Sequence, residues 1–268
     1  MQSLIETVKS ALDSPQPLPF SAYASIREQH IFNVPIIKPL LIFVLGGEKH
    51  LGKSSQWVCC SGEFVFLSNK TTIDMRNIPN DWEYYALLIE FDYEDFKGIK
   101  HNTRPQKTFC LGKTTPELET LVKQFVEWSC FAPPALWSTR RHELLLYLCH
   151  LGYDDIPAMI TPPEISHRVH DIISSNLTDD ISLESLCSKL AMSESTLRRR
   201  LKSEGTNLQD IKDQTKLGHG LQLLQSTLAP IGYIAEQCGY QSQSRFTDRF
   251  KQRFGLTPTE LRKTRMND

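Results

Sequence analysis

Eight cations crowd into two short stretches of a 268-residue chain whose 30 Lys and Arg are balanced by 31 Asp and Glu. Arg198, Arg199, Arg200 and Lys202 form one knot, in "STLRRRLKS"; Arg245, Arg249, Lys251 and Arg253 form another, in "SRFTDRFKQRFG". Guanidinium forks and ammonium groups at that density grip oxyanions, and the Arg fork also matches paired acceptors on base edges. Each knot is punctuated by apolar residues at helical spacing, Leu197 and Leu201 in the first and Phe246, Phe250 and Phe254 in the second. Two basic helices that bury one narrow stripe are therefore expected.

The two knots close two copies of one pattern, "ISLESLCSKLAMSESTLRRRLKSEG" and "APIGYIAEQCGYQSQSRFTDRFKQRFG". Leu183, Leu186, Cys187 and Leu190 are matched 48 residues later by Ile231, Ile234, Ala235 and Cys238. Ala191 and Met192 face Gly239 and Tyr240 at the same offset, and Leu197 and Leu201 face Phe246 and Phe250 at 49, as if one residue entered the second turn. Each copy reads as helix–turn–helix: Gly239 supplies a positive φ at one turn, and Ser193 supplies an N-cap after the other. A single basic face is commonly just a solvated surface. Two copies with the same face basic point to DNA, where cations hold phosphates and forked or amide donors read bases.

Between the copies, Leu208, Ile211, Thr215, Leu217, Leu221 and Leu224 suit one helix, which Gly218 and Gly220 weaken. About twenty residues at about 1.5 Å each span roughly 30 Å. That approaches the one-turn separation, about 34 Å, at which two recognition helices enter successive major grooves.

These residues, with the closing "FKQRFGLTPTELR" as the most specific part, resemble the AraC/XylS family of bacterial transcription regulators over roughly residues 167–265. The resemblance implies a seven-helix domain with two helix–turn–helix units on double-stranded promoter DNA, an activator that meets RNA polymerase, and a cytoplasmic location. Mapped onto this chain, Ser195, Arg198 and Arg199 would face bases from the first recognition helix, with Thr196 and Lys202 near phosphates. Gln243, Ser244, Arg245 and Asp248 would do so from the second, flanked by Lys251 and Arg253. Asp248 departs from the family, which often has Arg there; pairing with Arg245 at i−3 or Lys251 at i+3 is the favoured reading, ahead of cytosine recognition. Lys216 and Gly220 stand where Arg and Ala are common, so a looser linker helix is expected.

The front half reads as strands. "KPLLIFVLGGEKHLG", "SQWVCCSGEFVFLS" and "EYYALLIEFD" are β-branched or aromatic runs bounded by turn residues. Gly62 resembles the turn glycine of small cupin-type barrels, a partner domain the family commonly uses to bind an effector or dimerise. The expected fold is α+β: a cupin-like β-barrel with helices over residues 1–152, a proline-bearing linker over 153–166, and an all-α domain with two helix–turn–helix motifs and a linker helix over 167–268. Leu144, Leu145, Leu148 and Leu151, beside Arg140, Arg141 and Glu143, form a stripe that packs on the barrel or pairs two subunits in a homodimer.

Other chemistry finds little support. His30, His50 and His101 are scattered and form no HxH pair, so no metal or other cofactor is expected. Cys59 and Cys60 read as buried structural thiols. No nucleophile–base motif or phosphate-cradling glycine loop appears, nor the clustered metal cysteines of alkyl-transfer DNA-repair proteins, so an enzyme is not expected. Glu6 and Lys9 interrupt the N-terminal segment where a signal peptide needs an apolar core, and no apolar run approaches membrane-spanning length. Residues 1–163 carry 15 Lys and Arg against 18 Asp and Glu, and residues 164–268 carry 15 against 13. Three functions remain: a regulator whose barrel senses a small molecule through residues the sequence does not name, a regulator whose barrel is a protein-interaction or dimerisation module without a small ligand, and a cupin enzyme tethered to DNA.

Overall fold

The computed structural model describes residues 1–14, 16–53, 55–69, 71–80, 82–100, 107–160, 164–179 and 181–265. They divide into two compact units, Met1–Thr161 with Thr264–Asp268, and Pro162–Lys263.

The first unit opens with α1 (Gln2–Leu12) and continues through β1 (Ser21–Ser25), β2 (Gln29–Ile36), β3 (Leu40–Gly46), β4 (Glu48–Leu51), β5 (Trp57–Cys60), β6 (Glu63–Leu67), β7 (Thr71–Ile78), β8 (Tyr84–Glu90) and β9 (Phe109–Lys113). Helices α2 (Pro116–Ser129), α3 (Trp137–His150) and α4 (Asp155–Ala158) follow. The strands make two antiparallel sheets, ordered β1-β8-β3-β6-β9 and β2-β7-β4-β5, which form the walls of a cupin-like barrel. The unbroken apolar run of β3 follows from its place, because strand neighbours point to opposite faces and both faces are covered. Leu41, Phe43 and Leu45 join a core with Leu4 and Val8 of α1, Leu118 and Val122 of α2, and Leu144 of α3. Leu40, Ile42 and Val44 pack instead with Leu51, Cys59 and Met75 of the other sheet. Gly62 does turn the chain between β5 and β6, at φ 86.

For the α3 stripe the packing alternative holds, and other expectations for this unit are revised. Leu144, Leu145 and Leu148 of α3 are buried at 1%, 0% and 0% exposure, so that part of the stripe is core and not a free face for a second subunit. Arg141 beside it is no solvated cation. Its Nε donates to Oδ2 of the fully buried Asp95 at 2.6 Å, and its Nη2 donates to Asp92 at 2.6 Å. Of the adjacent thiols only Cys59 is buried, and burial pushes it up to about 12; Cys60 is exposed. In the stretch expected as linker, Ile156 and Met159 are buried in the first unit's core, while residues 161–163 and His101 lie outside the described residues.

A fully buried ammonium sits among the barrel strands. Lys49 of β4 faces the same way as Leu51, and its Nζ donates to Tyr23 Oη at 3.1 Å and Asn77 Oδ1 at 2.6 Å. Asn77 donates in turn to Gln29 Oε1 at 2.9 Å, and the Tyr84 ring centroid lies 5.4 Å from the ammonium. No carboxylate among the described residues pairs with Lys49, and the buried Ser25 Oγ has no hydrogen-bond partner among them. Lysine is almost never fully buried without an opposite charge.

The second unit holds α5 (Ile165–Ser174), α6 (Leu183–Leu190), α7 (Glu194–Ser203), α8 (Leu208–Ser226), α9 (Ile231–Gln237), α10 (Gln243–Phe254) and α11 (Pro258–Lys263). Its polar side chains fix the helix starts: Ser182, Ser193, Asn207 and Ser242 each accept a backbone N–H of the helix they precede. Glu204 reaches back to cap α5, accepting from Ile165 N at 3.0 Å and Ser166 N at 2.9 Å. The two turns use different residues in the left-handed region, Ala191 at φ 51 and Gly239 at φ 70. Among the described residues α8 is one continuous helix, against the expectation of a loose linker. Gly220 is buried under Phe246, so its missing side chain gives room for close approach instead of a hinge.

Candidate nucleic-acid interface

The interface is built on α7 and α10, each capped at its N-terminus and pinned by an apolar stripe. Leu197 and Leu201 fasten α7 at 0% and 2% exposure, and Phe246, Phe250 and Phe254 fasten α10 at 0% each. What remains outside follows from the 3.6-residue period.

On α7, Ser195, Arg199 and Lys202 lie at i, i+4 and i+7, opposite Leu197, and all three are exposed. Among the described residues Arg199, Arg200 and Lys202 join no ion pair or hydrogen bond through their side chains. Arg198 sits to one side, its guanidinium 2.7 Å from Glu194 one turn earlier. With Lys202 it borders an apolar groove of about 510 Å³ whose lining includes Leu183, Leu197, Leu201 and Leu208. Thr196 is half-buried, its hydroxyl accepting from Ser193 Oγ at 2.9 Å. The arrangement gives Arg199 the central position and Arg198 a flanking one.

On α10, Gln243, Ser244, Arg245, Asp248 and Lys251 are exposed. Asp248 stands diametrically opposite Phe250, at the middle of the outward stripe. It joins no ion pair or hydrogen bond among the described residues, so the pairing with Arg245 or Lys251 expected from spacing is not formed. The other two cations turn inward. Arg249 forms an ion pair with Asp213 of α8 and donates to Gln252 Oε1 at 3.0 Å. Arg253 is half-buried, and burial lowers its pKa while Asp213 and Asp210 act the other way. Of the two cations expected to flank this helix, Lys251 is exposed and Arg253 is half-buried. Arg200, which the sequence reading left without a role, is exposed at the edge of α7.

The outward charge is therefore lopsided. The face of α7 carries four cations and Glu194, whereas that of α10 carries Arg245, Lys251 and the opposing Asp248. Such a pair can hold phosphates mainly through the first helix and read bases through both.

A helix-turn-helix domain family matches residues 186–264. The HTH-type transcriptional regulator GadX of Escherichia coli O6:H1 is 31% identical over 126 residues, which is 45% of this chain and 46% of that protein. YdeO of Escherichia coli O157:H7, also an HTH-type transcriptional regulator, is 32% identical over 126 residues, 45% of this chain and 49% of its own length. Over that stretch the chain is similar to HTH-type transcriptional regulators. Its match spans about half the length of the curated relatives. The capped helices α7 and α10 and their basic faces lie within residues 186–264, the stretch that matches the helix-turn-helix domain family. Over the whole chain the fold is similar to ToxT of Vibrio cholerae: an apo form superposes with TM-score 0.67 at 13% identity, covering 94% of this chain and 99% of that one. An unsaturated fatty acid-bound form gives TM-score 0.64 at 13% identity, covering 94% and 97%. At that identity the likeness concerns the fold alone. No helix among the described residues is long and apolar enough to cross a membrane.

Proposed function

We propose that this chain is a sequence-specific transcription regulator that binds double-stranded promoter DNA through α7 and α10. The observation that carries this reading is the pair of N-capped helices, each buried by one apolar stripe and each presenting forked or amide donors on the opposite face. Six of the eight clustered cations are exposed, while Arg249 pairs with Asp213 of α8 and Arg253 is half-buried. With about four to six phosphates neutralised, log K should fall with log salt at a slope of roughly −4 to −5. A titration of the full chain against DNA selected from a random pool tests this; a flat salt response with no selected sequence would refute it.

The first unit we read as an effector-binding module that makes the regulator, an activator acting with RNA polymerase, respond to a small anion with an apolar body. The buried ammonium of Lys49, which no carboxylate among the described residues pairs, supports it, set among the apolar side chains of the barrel. ToxT, similar in fold, is described with an unsaturated fatty acid bound. Calorimetric melting of wild type and Lys49→Met with decanoate is the test. A ligand-dependent rise in Tm in wild type that the variant lacks supports the reading; no rise with decanoate or benzoate favours a barrel that serves protein contacts instead.

A further inference from the structure

One of the four cations of the α10 knot, Arg249, pairs with an acid of α8, and the arrangement has a geometric meaning. Asp213 and Gly220 are seven residues apart on α8, hence on one face and two turns apart. Gly220 receives the ring of Phe246, and Asp213 receives the guanidinium of Arg249. Lys216, between them in sequence, donates to Gly239 O at 3.3 Å in the turn that precedes α10. An apolar stripe resists separation of two helices, but its attraction is non-directional and opposes rotation or sliding weakly. A charge-assisted Arg–carboxylate bond is directional. Adding it two turns from the Gly220 contact turns a point of attachment into a line.

We propose that Asp213 is a positioning residue that fixes the rotation of α10 on α8 and so sets the half-site spacing at which the second recognition helix meets DNA. The consequence for spacing rests on the DNA-binding reading above; the clamp itself does not. Asp213 also removes Arg249 from the pool of phosphate-binding cations. The exposures agree with this division, 17% for the Asp213 side chain and 41% for Arg249. Deleting the acid therefore has two separable effects: α10 gains rotational freedom, and one more cation reaches the backbone of the nucleic acid.

The experiment uses the full chain and a DNA site selected by the wild type, together with versions lengthened or shortened by one base pair between the half-sites. Wild type is expected to lose about tenfold or more in affinity with either altered spacer, since one pair rotates the second groove away. Asp213→Asn is expected to bind the parent site about fivefold more weakly, to shrink the spacer penalty to about threefold or less, and to steepen the salt slope by about one. Asp213→Glu should keep the wild-type profile, and the exchange Asp213→Arg with Arg249→Asp should restore the penalty. Equal loss at every spacer with an unchanged salt slope in Asp213→Asn would overturn the proposal. Hydrogen exchange on the DNA-free chain supplies the independent readout: faster exchange in α10 than in α9 or α11 for Asp213→Asn supports the clamp, and unchanged α10 exchange overturns it. Wild type that binds no DNA would sink the DNA reading, and the exchange result would then decide the clamp alone.

Discussion

Gly220 of α8 lies so close to the Phe246 ring of α10 that a Cβ built on it would stand 2.8 Å from ring atoms Cε2 and Cζ, with Cys238 Sγ at 3.2 Å. The ring has little room to yield. It is fully buried, with Tyr240 at 5.3 Å and Phe250 at 5.5 Å between centroids. Gly220→Ala sets a helix-propensity gain of about 1 kcal/mol against an overpacking cost of about 1–3 kcal/mol. Net destabilisation of up to about 2 kcal/mol is expected in urea unfolding, with recovery in Gly220→Ala/Phe246→Leu. Stabilisation by the single substitution would show that α10 shifts freely on α8.

Recognition by α7 should divide by position on the helix. Arg199→Ala is expected to cost about 1–3 kcal/mol and relax preference at one base position, since Arg199 heads the stripe opposite the buried leucines. Lys202→Ala should weaken all sequences alike and reduce the salt slope by about one. Arg198→Ala should fall nearer Lys202→Ala, because Glu194 holds the guanidinium aside. Profiles from a randomised-site binding assay that cannot distinguish the three variants would contradict this division.

Among the described residues Asp248 pairs with no cation, and it occupies the centre of the α10 face. In the groove its carboxylate is repelled by phosphates unless a cytosine amino group donates to it. Asp248→Asn is therefore expected to change the preferred base at one operator position. Parallel selection from a random pool with wild type and variant gives the answer; uniformly tighter binding with the same preferred sequence would mean that the acid only tempers affinity.

Arg141 and Asp95 form a pair with the carboxylate wholly inside the first unit. Arg141→Ala strands that charge and should cost about 3–5 kcal/mol in urea unfolding. Burial pushes neighbouring Asp92 up, but Lys38 and Arg141 outweigh it and hold the carboxyl below the usual range. A depressed folded value means that the stabilisation is fully present above the unfolded pKa of about 3.9 and is lost as pH falls through the folded value. Acid unfolding of wild type should accordingly show a component below about pH 4, moved upward in Arg141→Ala. An unchanged acid midpoint in the variant would dissociate Asp92 from this network.

Much of the second unit is legible in the chain itself, because its signals are local. Apolar residues at helical spacing reveal α6, α7, α9 and α10, Ser193 marks a start, and Gly239 marks a turn. The directions of Arg249 and Arg253 are harder to see. Both flank the phenylalanine stripe, which places them near the buried side, but the acid that pairs with Arg249 lies 36 residues earlier on α8. Arg141 escaped for the same reason, its partner Asp95 being 46 residues away. Lys49 left a clue that was missed: two residues before Leu51 on a strand, it had to share that residue's buried face. At Gly220 the sequence shows a missing side chain and not the Phe246 ring that occupies its place.

The duplicated helix–turn–helix motifs are not interchangeable parts. At the first turn Ala191, an exposed L-residue, holds a left-handed conformation that glycine adopts at lower cost. At the second, a Cβ on Gly239 would run into the Leu177 carbonyl and crowd the Lys216 ammonium. Traffic between the copies is thus one-way. Writing the glycine of the second turn over Ala191 relieves a left-handed L-residue, whereas the reverse exchange drives a methyl group into the backbone beyond α5. Chimaeras assembled from the two halves of this domain inherit that direction, and a library of them should be populated accordingly.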